Sequence, residues 1–233
     1  MFTYLASTFD PGLLWEYRET LLQGLQQNLI IFFQSAVLAV LLAFVVGNAR
    51  ASRSRPVRWM AICYSEFFRN TPEYVLLVWI YFVVPLIIGK MIGSRAGFSP
   101  HVAAVLGLGV AYSGFLSETV RAGLRSVPLG HAEAATALGL SPFATFRRIV
   151  LPQAIRRMLP EATNQMISLF KSTTIVSLIS VHDILYQVSV ISSSEMRPIP
   201  LYTGVALLYC LIIILATYLL NRLTDRWRRR GWA

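Results

Sequence analysis

Charge is scarce in this sequence. Only 14% of its 233 residues are charged, where a soluble domain carries about a quarter. Lysine occurs only at Lys90 and Lys171, so the rest of the 21 basic residues are arginine; acids number 11 and cysteines two. Each shortage excludes something. Too few polar residues remain to coat a soluble enzyme. Cys63 and Cys210 both sit in apolar stretches, imply no disulfide framework and read as buried small hydrophobes. The segment up to Glu19 holds one arginine and three acids, so it lacks the basic start of a secretory signal and no cleaved peptide is expected. No G-x-x-x-x-G-K-[ST] run is present, which excludes nucleotide binding through a P-loop. Gly107-Leu-Gly109 lacks the third glycine of a dinucleotide site, and His101, His131 and His182 are too scattered for a metal site.

What is abundant is apolar surface: 55% hydrophobic residues and a mean hydropathy of +0.58. A disordered chain needs the reverse balance, so the class left is a polytopic membrane protein. A bilayer-spanning helix needs about 20 apolar residues. Five stretches qualify: 29–47, 57–88, 101–120, 162–181 and 199–220. None alternates as a barrel strand does, and only helices or closed barrels cross lipid. The expected fold is all-α, five transmembrane helices in one domain over 1–233, with a helical loop at 128–160 outside the membrane.

The formal charge of +10 is concentrated. Arg50, Arg53, Arg55 and Arg58 form one cluster. Arg121, Arg125, Arg147, Arg148, Arg156 and Arg157 form a second, and Arg222, Arg226, Arg228, Arg229 and Arg230 a third. Excess arginine marks the cytoplasmic side. Five spans then put the N-terminus outside and the C-terminus inside, with only Arg18, Lys90, Arg95 and Arg197 in outer segments. The charge therefore reads as topology and not as a nucleic-acid surface. Gly89, Gly93 and Gly97 read as a flexible outer loop, because Lys90, Ser94 and Arg95 interrupt any packing face.

Ionisable residues at membrane depth are costly and often functional. Glu66, Arg69 and Glu73 fall at i, i+3 and i+7 and can neutralise one another, with Pro72 inviting a kink. They read either as a structural ion ladder or as the lining of a polar path. Glu118 and Arg121 read as structural. The fourth span carries a polar stripe of Glu161, Asn164, Gln165, Ser168, Lys171, Ser172, Thr173 and Thr174, facing either a pore or a packing partner. His182-Asp183 is the only pair that an intramembrane enzyme could use, too little for a catalytic constellation. An autonomous channel or carrier is disfavoured by the absence of an internal repeat.

The loop carries the sharpest pattern. Pro128 and Gly130 are expected to break the third helix. Ala132 to Leu138 favours a helix with Glu133 in its first turn. Gly139 suits a C′ position, and Ser141-Pro142 an N-cap followed by N1. Pro152 and Pro160 then punctuate a second short helix.

Glu133-Ala134-Ala135, three residues, Gly139, nine residues, Ile149, one residue and Leu151-Pro152 resemble, at every position, the EAA loop of ABC importer permeases. The likeness extends through Ser117 to Pro128, Phe68 to Pro85 and the stretch from Leu151 to Val181, about three quarters of the chain. The group most similar is the polar amino acid uptake permeases, of the histidine/glutamate/glutamine/arginine/opine type. The resemblance implies a type I ABC importer permease fold in a bacterial cytoplasmic membrane. It implies a coupling helix at about Gly130 to Leu140 that docks a dimer of ATP-binding subunits, with Glu133, Ala134, Ala135 and Gly139 seated in the ATPase cleft and Ile149, Leu151 and Pro152 completing the motif. His131 departs from the Gln common there. A second copy or a similar permease and an extracytoplasmic substrate-binding protein are the other implied partners. ATP and Mg would belong to the ATPase, and this chain would be no enzyme and bind no cofactor. Substrate-path candidates are Glu73, Arg69, Glu161, Asn164, Ser168, Lys171, Ser172 and Thr173, with a helix locally unwound near Lys171. The solute would be a polar amino acid. A related small solute such as an opine, or a non-ABC channel or carrier, is the alternative.

Overall fold

The computed structural model describes residues 12–94 and 96–229. Arg95, Arg230 and the first eleven residues, which entered the charge argument, lie outside them. The described residues form helices and no strand: α1 (Gly12–Glu16), α2 (Arg18–Arg50), α3 (Arg55–Asn70), α4 (Glu73–Val78), α5 (Val84–Ile92), α6 (Pro100–Arg125), α7 (Leu129–Ala137), α8 (Pro142–Thr145), α9 (Leu151–Ser172), α10 (Ile184–Glu195) and α11 (Pro198–Arg229). Four stretches are long and apolar enough to cross a membrane: Arg18–Arg50, Glu73–Ile92, Pro100–Arg125 and Pro198–Arg222. A fifth forms if Pro142–Ile179 and Ile184–Glu195, bent by 49°, count as one span.

Proline explains most departures from the expected boundaries. The stretch 57–88 is not one helix, because it breaks at Thr71-Pro72. Thr71 is extended (φ −84, ψ 128), as the ring of a following proline demands. The span is therefore Glu73–Ile92, and Glu66 and Arg69 share no continuous helix with Glu73. Pro85 and Pro152 instead lie inside helical runs, each just after a π turn, at Trp79–Val83 and Phe146–Val150. A proline ring clashes with the carbonyl four residues back, here that of Tyr81 or Arg148. The wider turn moves that carbonyl away, and the next N–H reaches back five residues, from Val84 to Trp79 and from Leu151 to Phe146. Consequently neither Pro152 nor Pro160 ends a short helix, and the helical run continues to Ile179. The first span begins at Arg18, not at 29, because polar Gln23, Gln26 and Gln27 continue its helix. Gly89 lies within α5, so the expected outer loop starts only at Gly93.

The chain divides into two compact units. The first comprises the residues up to Ala36, Pro72–Gly109 and Ile167–Thr217. Its core joins Leu13, Leu21, Phe170, Ile184, Val188, Ile191, Leu201, Val205 and Tyr209. α2 meets the start of α10 very closely: a Cβ on Gly24 would lie 2.6 Å from the Ile184 Cα, so only glycine fits. One turn further, Asn28 is fully buried with Thr173 and Asp183. Its Oδ1 accepts from the Ile184 backbone N–H at 3.0 Å, and its Nδ2 donates to Asp183 Oδ2 at 3.1 Å and to Thr173 O and Oγ1 at 3.2 Å. Asp183 Oδ1 in turn accepts from the Tyr186 N–H, capping α10. One side chain thus ties α2 to the start of the 3-10 segment at Thr173 and to the start of α10 at Asp183 and Ile184.

The second unit comprises Val37–Thr71, Val110–Met166 and Tyr218–Ala233. Hydroxyl pairs stitch α3 to α6: Tyr64 to Ser113 at 2.7 Å, and Ser65 to Ser117 at 2.8 Å. Small polar residues are the usual contacts between helices in lipid. Cys63 and Cys210 are exposed on their helices, which corrects the expectation of burial.

Asn28→Leu would strip partners from the Ile184 N–H and from Asp183. Leaving a buried polar group unsatisfied costs about 1–3 kcal/mol, so the melting midpoint in detergent should fall by on the order of 5 °C. Gln27→Leu, on a less buried position, should leave it unchanged. Thermal unfolding followed by fluorescence checks both.

Candidate functional site

The loop helix α7 runs Leu129–Ala137, one residue earlier and shorter than expected, with Pro128 as its N-cap and Gly130 inside it. Glu133 therefore lies one turn in, beyond the first turn. Its end is a Schellman stop: the Gly139 N–H bonds Thr136 O at 2.9 Å and the Leu140 N–H bonds Ala135 O at 3.1 Å. Gly139 has φ +79, the left-handed region where a Cβ is penalised. Ser141 then caps the following run, its Oγ accepting from the Ala144 N–H at 3.3 Å. The glycine stop and the serine cap both stand where the sequence puts them.

The seven loop residues divide by burial. Glu133, Ala134 and Gly139 are exposed. Ala135, by contrast, is 1% exposed and packs inward, so it supports the helix and is not displayed by it. α7 rests on the Phe146–Val150 π turn, and His131 Nδ1 lies 2.9 Å from Gln153 Oε1. Ile149 lies within that turn, Leu151 lines an apolar cavity, and Pro152 stands where it widens the turn. The motif therefore consists of a displayed helix and the seat beneath it.

The path candidates separate in the same way. In the first unit, α4 packs against the 3-10 segment Thr173–Ile179, where the helix from Leu151 tightens just after Ser172 and is wound more closely, not unwound as expected. Lys171 and Ser168 are exposed and Glu73 is half-buried. The side chains of Glu73 and Lys171 make no ion pair or hydrogen bond among the described residues. Thr173, however, is fully buried, held by Asn28 and donating its hydroxyl to Phe170 O at 2.7 Å. It belongs to the lock of the helix break and not to an open surface. Ser172 is half-buried beside it. In the second unit, Glu161 accepts from Gln165 Nε2 at 2.8 Å, Asn164 is exposed, and Arg69 pairs with Glu66 at 3.4 Å. His182 stacks on Tyr186 at 4.6 Å between ring centres, and Asp183 is committed to Asn28, so the two form no catalytic dyad.

Sequence reasoning missed two residues. Asn28 fell outside the apolar window. Arg50 was counted with the topological arginines, yet it is only 7% exposed. It contacts Glu118 at 2.9 Å and Glu66 at 3.8 Å. Glu118 also receives Arg121, whose Nε lies 3.0 Å from Oε2. The signal that could have found Arg50 is positional: it closes a stripe of buried residues along α2 that includes Gly24, Asn28, Ile31, Ser35, Ala39, Ala43 and Gly47, at helical spacing.

These features define a polytopic α-helical membrane protein with a helix displayed on an arginine-rich loop. The matching family model, over residues 35–230, is that of the binding-protein-dependent transport system inner membrane component, and the chain belongs to this family. It is 32% identical over 207 residues to the arginine ABC transporter permease protein ArtQ of Escherichia coli (strain K12), covering 82% of this chain and 87% of that one. It is 29% identical over 218 residues to the glutamine transport system permease protein GlnP of the same strain, covering 94% and 97%. A crystal structure of an amino acid ABC transporter with histidines aligns with a TM-score of 0.83 at 28% identity, over 93% of this chain and 98% of that one. The MetNI methionine ABC transporter in an inward-facing conformation shares the fold, with a TM-score of 0.74 at 20% identity.

Arg50→Ala would leave Glu118 with Arg121 alone and open a buried gap. Breaking a buried pair costs about 3–5 kcal/mol; the remaining partner and partial exposure of Glu118 bring the expected loss to roughly 2 kcal/mol. The exposed Arg53→Ala should shift stability by less than about 0.5 kcal/mol. Denaturant or thermal titration of both variants distinguishes the buried arginine from its neighbour.

Proposed function

We propose that this chain is the permease subunit of an ATP-driven importer of a polar amino acid. It works with a dimer of ATP-binding subunits, a second permease and an extracytoplasmic binding protein. It lies in a bacterial cytoplasmic membrane with its N-terminus outside and its C-terminus inside, since all three arginine clusters fall on segments of the second unit and positive charge favours the cytoplasm. ATP and Mg belong to the partner, and no residue of this chain is catalytic.

The observation that carries this reading is the construction of α7. A nine-residue helix would not persist alone. This one is stopped by Gly139, seated on the Pro152-widened turn, and leaves Glu133 and Ala134 outward. Small outward side chains let a partner surface approach closely. Closure of the docked ATPases would draw α7 with them, and the seat would pass that displacement into α9, which runs on to Lys171. Nucleotide moves the equilibrium only through its different affinity for the two arrangements.

Lys171 and Glu73 are of opposite charge, and the helix Glu73 opens packs against the segment that follows Lys171. A zwitterion has a carboxylate for the first and an ammonium for the second. Ser168 and Asn164, exposed on the same helix, would supply hydrogen bonds.

In proteoliposomes holding the assembled transporter, Lys171→Ala and Glu73→Ala should each lower amino acid uptake at least about tenfold, the loss of one charge-assisted contact, with assembly intact. Normal uptake kinetics in both would refute the path assignment. Gly139→Asp should preserve ATP hydrolysis but abolish its coupling to uptake, because a charged side chain at a left-handed position strains the stop and obstructs docking. Substrate-stimulated uptake at the unsubstituted level would refute the coupling role.

A further inference from the structure

We infer that the second unit carries a binding groove for an anionic phospholipid, on the arginine-bearing side of the bilayer. A cavity of about 300 Å³ opens between α2, α6 and α9, lined among others by Val40, Phe44, Leu116, Val120, Ile155 and Leu159. Its lining is almost wholly apolar, and Val40, Phe44 and Ile155 on its rim are exposed. A second cavity of about 230 Å³ adjoins it through the shared Thr119 and Met158, and this one presents Arg157, Glu161 and Ser126. An apolar slot continuous with a charged recess matches an acyl chain joined to a headgroup.

Charge selects among lipids. The tail gains little by leaving one apolar medium for another, so discrimination comes from the headgroup. Arg157 lines the recess, and further arginines are close in the chain: Arg125 lies between the lining residues Leu124 and Ser126, and Arg156 between Ile155 and Arg157. Arg125, Arg148 and Arg156 are exposed and make no ion pair among the described residues. Arg157 donates to Ser126 O, which holds its guanidinium across the recess. Glu161 is the single acid there, and it is engaged by Gln165. Basic recesses between transmembrane helices are suited to anionic headgroups.

The inference rests on the chain's placement in a bilayer and not on the solute it moves. Its test is native mass spectrometry of the purified transporter titrated with phosphatidylglycerol and, separately, phosphatidylcholine of the same chains. Phosphatidylglycerol should bind more tightly, and Arg156→Gln should cut that preference about fivefold, as one surface charge implies. Ala162→Leu, which fills the slot, should weaken both lipids while uptake in detergent-free liposomes still reports a folded transporter. Equal affinity for the two lipids, or phosphatidylglycerol binding unchanged in both variants, would overturn the proposal. So would a disulfide between two copies carrying Val40→Cys with Cys63→Ser and Cys210→Ser, since a second permease would then occupy the groove.

Discussion

A bilayer offers no water to an exposed peptide group, and the side chain of Asn28 is how this chain meets that constraint where its helix stops. Between Ile179 and Ile184 the helical ladder is lost, freeing backbone donors and acceptors. Asn28 is one of few side chains able to donate and accept at once, and it uses both capacities, toward Thr173 and Asp183 on one side and the Ile184 N–H on the other. Gly24, one turn earlier, lets the backbones approach closely enough for the amide to reach. The bend of 49° is therefore held from outside by α2 as well as by the segment's own bonds, from the Ser180 N–H to Ser177 O and from the Val181 N–H to Val176 O. Lys171, Ser172 and Thr173 owe their positions to that hold.

Proline plays the complementary part. A mid-helix proline clashes with the carbonyl four residues back, and a widened turn supplies the space that lets the helix continue. Among the described residues, both π turns end two residues before a proline. At Pro152 the result is a bulged surface on which α7 rests. This gives the Leu-Pro at the end of the loop motif a mechanical reason to stand thirteen residues after Gly139: it shapes the seat, while Glu133, Ala134 and the Gly139 stop shape what the seat displays.

Local chemistry of this kind was legible in the sequence. The Gly139 stop, the Ser141 cap and the apolar spans depend on residues close in the chain, and their geometry follows from backbone sterics and hydropathy. The break at Thr71-Pro72 was partly legible, since proline was seen but a kink was expected instead of a full stop. What could not be read was long-range. Asn28 meets Asp183 across 155 residues, and nothing near either marks the pairing. Ala135 looked equivalent to Ala134 until the turn beneath α7 fixed which of the two faced inward.

Arginine shows the same limit from another direction. A count of charges treats every arginine alike, and exposed Arg53, Arg55 and Arg147 offer nothing beyond it. Arg50 has the same charge and a neighbouring position, but it is buried, and a buried guanidinium must be paired to persist. The acids decide which arginine is which. Glu118 and Glu66 draw Arg50 inward, Glu118 also engages Arg121, and Glu66 also engages Arg69. Among the described residues, exposed Arg53, Arg55, Arg147, Arg148 and Arg156 find no carboxylate. The scarce acids thus pick out Arg50, Arg69 and Arg121 as the arginines that fasten helical segments.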